Sequence, residues 1–196
     1  MNLSLIPIPL NLVLITLYLL ARNRQDLKRT AVIQPLTTLT SVVIAGLSLL
    51  DPATNRAYTI CILVGLGLCL AADIFNIDMN NDRIFFLGMA FFVVAYLEYA
   101  VTFTWFNRGF QPGDLWVGLL FLGIYLLLMR LYWAKLGKYK LPVLLYGLIM
   151  PFMVTRAIST LLGESFPQTA GLLAAGGALL LFLGDAEYGL QRFYKP

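Results

Sequence analysis

The 196-residue chain has no histidine, two cysteines and few charges; Asp, Glu, Lys and Arg together make up 12% of it. The missing histidine excludes Ser-His-Asp and Cys-His catalysis and histidine-based metal sites. Cys61 and Cys69 lie in one apolar stretch. On a single helix that separation is ~12 Å along the axis, too far for a bond between them. They read as small apolar packing residues and say little about redox compartment. The strand alternation of a membrane barrel is also absent. So are a solenoid-period repeat, a low-complexity tract and a segment with the composition of a soluble second domain. No basic n-region precedes the first apolar run, which is long enough to span, so a signal peptide is not indicated. No basic patch interleaved with aromatics points to nucleic acid.

What the chain does have is apolar length. Hydrophobic residues make up 60% of it, and its mean hydropathy is +0.81. Seven stretches fill it: 2–21, 31–50, 57–76, 84–106, 115–134, 141–161 and 169–188. About 20 residues at ~1.5 Å each span a ~30 Å hydrocarbon core. Backbone polar groups in lipid must be satisfied internally, so the stretches are helices. The expectation is an all-α, multi-pass bundle of about seven transmembrane helices forming one domain over 1–196.

Basic residues set its orientation. Arg22, Arg24, Lys28, Arg29, Arg83, Arg130, Lys135, Lys138, Lys140, Arg192 and Lys195 fall on one side. Arg56 and Arg108 fall on the other, and Arg156 lies within a stretch. This split predicts the N-terminus outside and the C-terminus cytoplasmic. It also accounts for the net charge of +4, because basic loops meet anionic headgroups.

Turn signals lie at Asp51-Pro52, from Asn76 to Asn81, at Asn107-Arg108-Gly109, at Gln111-Pro112-Gly113-Asp114, and at Gly163 with Pro167. Asp78 and Asp82 read as loop-solvating residues, with Asp82 suited to cap the next helix. Pro142 suits a first helical turn. Pro35 and Pro151 fall inside helices; each is either a packing kink or the source of a freed carbonyl lining a cavity. Gly65, Gly67, Gly171, Gly176 and Gly177 read as packing faces.

Acidic residues inside apolar stretches need an explanation, because a bare charge there costs at least ~2.5–3.5 kcal/mol. Asp73 and Asp185 fall at similar depth in the third and seventh stretches, and Gln34 is at comparable depth in the second. These three could converge in one polar layer, or the acids could sit at headgroup level. Glu98 and Arg156 share a second depth and are expected either to pair structurally or to form a site. Tyr96, Tyr99 and Tyr146 could add hydroxyls there.

Three segments carry a resemblance. Gln34-Pro35-Leu36 opens the second stretch. GLGLCLAADIFNIDMNNDRIFFLGMAFFVVAYLEY runs from Gly65 to Tyr99. GALLLFLGDAEYGLQRF runs from Gly177 to Phe193. Together, in order, they resemble the lysoplasmalogenase-like, or YhhN-type, membrane family, whose motifs are Lys-Pro-Leu, Gly-Asp followed by Ala-His-x-x-Tyr, and Ser-Asp followed by Arg-Phe. Asp73, Asp185 and Tyr99 match family positions. Gln34 stands where the family has Lys, Ala72 where it has Gly, Tyr96 where it has His, and Gly184 where it has Ser. The family often carries an eighth helix, and this sequence accounts for seven.

The resemblance implies hydrolysis of the vinyl ether of a lysoplasmalogen. Asp73 and Asp185 are the leading acid pair and Glu98 is a third candidate. Gln34, Tyr96, Tyr99, Tyr146 and Arg156 are candidate substrate contacts. Such chemistry needs a protonated acid and a nearby anion, as in glycosidases, and no cofactor or metal. The implied partners are a lysophospholipid substrate and membrane lipids, with no nucleic acid. A lipid-binding or transport protein on the same scaffold is the first rival reading, and a structural subunit with paired charges is the second.

Overall fold

The computed structural model describes residues 3–24, 26–77 and 81–190, and these are helical with no strand among them. Seven helices follow in order: α1 (Ile8–Asn23), α2 (Leu27–Ser48), α3 (Arg56–Phe75), α4 (Asp82–Phe106), α5 (Asp114–Tyr132), α6 (Lys140–Leu162) and α7 (Gln168–Gly189). A 3-10 turn, Leu3–Leu5, leads into α1. Two more, Trp133–Lys135 and Gly137–Tyr139, join α5 to α6. All seven helices are long and apolar enough to cross a membrane, with spans of 18 to 26 residues. Each overlaps the corresponding apolar stretch of the sequence. Asp78, Arg192, Phe193 and Lys195 lie outside the described residues. Large apolar side chains stand exposed along the helices, as lipid-facing positions require.

Polar residues at helix ends explain where helices begin. Asp26 accepts from the Arg29 backbone N–H at 3.1 Å, and Asn55 accepts from that of Tyr58 at 3.2 Å. At α4 the capping side chain is Asn81, which accepts from the Arg83 N–H at 3.1 Å. This corrects the expectation for Asp82. The helix starts one residue earlier, so Asp82 falls in its first turn, where a negative charge meets the positive end of the helix dipole.

The chain divides into two compact packing units, Met1–Glu98 and Tyr99–Pro196. In the first, α1 packs on α2 and α2 on α3. The Asn11 amide of α1 donates to the Thr37 carbonyl (3.1 Å) and to the hydroxyls of Thr40 (2.6 Å) and Ser41 (3.2 Å) on α2. Interhelical bonds of this kind hold helices together where lipid supplies no hydrophobic drive. Phe75 and Phe91 stack with centroids 5.3 Å apart.

In the second unit α5 packs on α6 and α6 on α7. Phe121 meets Phe182 edge to face at 5.2 Å. Pro142 occupies the first turn of α6, while Pro151 is buried within that helix and offers no N–H to the Gly147 carbonyl. Gly147 itself makes room for the Tyr125 ring, whose hydroxyl reaches the Leu144 carbonyl at 3.0 Å.

The glycines divide into packed and unpacked. Gly65 is buried, and a Cβ at Gly171 would lie 2.9 Å from the Thr160 carbonyl oxygen. Gly67, Gly176 and Gly177 have nothing within 4 Å of that position. The expected packing role is corrected for these three: composition places glycines on a helix but not on its contacting face. Gly171→Ala is therefore expected to destabilise the protein by about 1–3 kcal/mol, because the obstacle is backbone. Gly177→Ala is expected to stabilise it by up to ~1 kcal/mol through helix propensity. Thermal unfolding in detergent measures both.

Candidate functional site

Asp73 lies near the end of α3 and is 5% exposed. Gln34 and Thr38 are four residues apart on α2, so they share one helix face. That face meets the carboxylate. Gln34 Nε2 donates to one oxygen at 2.6 Å, and Thr38 Oγ1 donates to the other at 2.5 Å. Gln34 and Asp73, expected at one depth, are thus directly bonded. Both of these donors are neutral, and together they fix the carboxyl plane. Thr38 was not singled out in the sequence; its signal was the four-residue spacing from Gln34.

Glu98, on α4, is half-buried. Tyr96 is 1% exposed and lies against Phe92, with ring centroids 6.0 Å apart. In the second unit, Tyr99 is buried and stacks on Phe103 at 6.3 Å. Both tyrosines have apolar rings packed in aromatic company.

Asp185 is half-buried on α7, and one of its carboxylate oxygens accepts a short hydrogen bond from the Tyr146 hydroxyl of α6. The sequence reading set Tyr146 in the layer of Arg156; the structure gives its hydroxyl to Asp185 instead. Tyr146 is one helical turn into the apolar part of α6, a full ten residues before Arg156. Glu187, two residues beyond Asp185, is exposed.

Arg156 is fully buried on α6. Its Nη1 pairs with Asp114 at the start of α5. Its Nη2 donates to the Gly109 carbonyl at 2.5 Å and its Nε to the Thr104 hydroxyl at 2.7 Å. The Phe110 ring lies 4.4 Å below the guanidinium, within cation–π range. The carboxylate partner is Asp114, which corrects the expected pairing with Glu98. Depth along a helix fixes height, not which neighbour faces inward, and Asp114 read as a turn residue. The segment from Asn107 to Asp114 is built around this charge. Arg108 and Gly109 adopt positive φ, 56° and 103°. The Asp114 carboxylate also accepts from the Gln111 N–H at 2.7 Å. Asn107 donates to the Ser159 carbonyl (2.9 Å) and hydroxyl (3.0 Å). Arg156 thereby holds the loop through its guanidinium.

Seven helices long and apolar enough to cross a membrane, with carboxylates held by amide and phenol donors, give the chain the character of a multi-pass membrane protein. More particularly, the chain belongs to the YhhN family, which it matches over residues 10–196. No curated protein and no solved structure matches it.

Proposed function

We propose that the protein is a membrane hydrolase that cleaves the vinyl ether of lysoplasmalogens, releasing a fatty aldehyde and a glycerophospho-base. The observation that carries this reading is Asp73, a buried carboxyl held by Gln34 and Thr38 in a chain of the YhhN family, a family that includes lysoplasmalogenases. Asp73 is the proposed acid. Its proton passes to the vinyl carbon remote from oxygen, leaving an oxocarbenium ion and a carboxylate. Water adds to the cation and returns a proton to the carboxylate. The hemiacetal then collapses, the C–O bond breaks, and aldehyde and alcohol leave with the acid regenerated.

Asp185 is proposed as the second carboxylate, with Tyr146 orienting it, and Glu98 as the third candidate. Gln34, Tyr96 and Tyr99 are proposed substrate contacts. The distribution of Lys and Arg supports an N-terminus outside and a cytoplasmic C-terminus.

One observation favours a second reading, a non-catalytic lipid carrier. One donor to Asp73 is the neutral amide of Gln34, where the family usually has a lysine. Aldehyde release decides between them. Purified protein in detergent, incubated with a lysoplasmalogen, is expected to release aldehyde in step with loss of substrate. Binding of the same lipid by folded protein without aldehyde would overturn the hydrolase in favour of the carrier.

A further inference from the structure

The connection between α5 and α6, together with the helix ends that flank it, carries four exposed cations, Arg130, Lys135, Lys138 and Lys140. No Asp or Glu occurs from Leu115 to Gly163. Cations on a floppy loop attract anions only diffusely, but this backbone is fixed. Leu136, between the two 3-10 turns, is 0% exposed and packs with Tyr125 and Met129, against which Val143, Leu144 and Leu190 also lie. Gly137 has φ +48°, which lets the chain reverse directly after that anchor. The Tyr139 N–H closes the turn on the Leu136 carbonyl at 2.8 Å.

Two of the cations are seated on rings. The Lys140 ammonium lies 5.2 Å from the Trp133 centroid, and that of Lys138 lies 5.4 Å from the Tyr139 centroid. An ammonium has three N–H groups, so one resting on a ring face still directs donors away from it. Trp133 is 43% exposed, and aromatic residues at the ends of membrane helices favour headgroup level. Leu127, Leu131 and Leu141 stand exposed next to the cations along α5 and α6, offering apolar surface for acyl chains. A free phosphate would use the cations and leave that surface idle. Glu187, one turn before Leu190 on α7, is an exposed acid near this end, and Asp185, bonded to Tyr146, lies two residues before it.

We propose that the α5–α6 connection is a binding site for an anionic phospholipid, with the headgroup phosphate held by Lys135, Lys138 and Lys140 and the acyl chains laid along the adjoining leucines. The site is separate from the hydrolase reading and does not depend on it.

The test uses the full chain in detergent, titrated with phosphatidylglycerol, phosphatidylcholine or inorganic phosphate, with bound lipid counted by native mass spectrometry. Phosphatidylglycerol is expected to bind more tightly than phosphatidylcholine. Each lysine near such a headgroup contributes about fivefold at low salt, so K135Q/K138Q/K140Q should weaken phosphatidylglycerol on the order of 100-fold. E187Q should tighten it by about fivefold. Neutralising Arg24, Lys28 and Arg29 instead should leave it within about twofold. Equal binding of the two lipids, equal loss in both triple variants, or full displacement by inorganic phosphate would each overturn the proposal. If the triple variant does not fold, the direction of the E187Q change decides alone.

Discussion

Replacing Asp73 by asparagine is expected to lower aldehyde release about 10²–10⁴-fold, the usual contribution of a positioned proton donor, while the fold survives. The two halves of this expectation have different causes. An amide cannot deliver a proton to carbon, so the chemical step loses its acid. The packing, however, is nearly conserved. The new amide oxygen can accept from Gln34, and its NH₂ can donate to the Thr38 hydroxyl, which turns to accept. The variant should therefore unfold within a few degrees of the wild type and still bind lysoplasmalogen. A folded variant with undiminished turnover would remove Asp73 from the chemistry. A variant that fails to fold would assign the Gln34–Thr38–Asp73 contacts to structure alone. Thr38→Val is a useful companion, because it keeps the carboxyl and removes one of its two described orienting bonds; a smaller loss of turnover is expected.

The largest effect on stability is expected at Arg156. Removing one member of a buried ion pair leaves the other charge uncompensated and costs about 3–5 kcal/mol. Arg156→Met strands Asp114 and also frees the Gly109 carbonyl and the Thr104 hydroxyl from their donor. Asp114→Asn strands the guanidinium and should cost a similar amount. The double replacement R156M/D114L leaves neither charge behind and should recover part of the loss. Unfolding free energies of the four proteins in a mixed detergent close this cycle. Additive single losses, with no recovery in the double variant, would mean that the pair contributes nothing as a pair. Turnover per folded molecule should be unchanged in Asp114→Asn if Arg156 serves the loop alone, and a loss there would support Arg156 as a substrate contact.

The spans were readable because lipid imposes a length on every crossing helix, and that length repeats seven times in the hydropathy. The bond between Gln34 and Asp73 was half readable. Both residues sit at one depth, and Thr38 follows Gln34 by one turn, but only packing shows that their faces meet. Arg156 was misassigned for the same reason. Counting residues from a helix start gave Glu98 and Arg156 the same height, whereas the partner came from Asp114, which looked like part of a turn. Glycine composition failed in the same way: it marked Gly171, where a Cβ would meet backbone, and Gly177, where a Cβ would meet open space, as equals. One-dimensional position along a helix is written in the sequence. The angle at which a residue leaves it, relative to a neighbour, emerges from the fit of many side chains at once.

Chain order gives the Arg156 cluster a meaning in biosynthesis. Thr104, Gly109, Asp114 and Phe110 all precede Arg156, so they leave the ribosome before α6 does. When the arginine-bearing helix is made, the residues that accept from it have already been made. A charge that would otherwise resist partitioning can then move directly from one polar environment to another. Reversing that order, as a circular permutation starting within the α5–α6 connection would do, presents the arginine to the lateral gate of the insertion machinery before any of these partners is made.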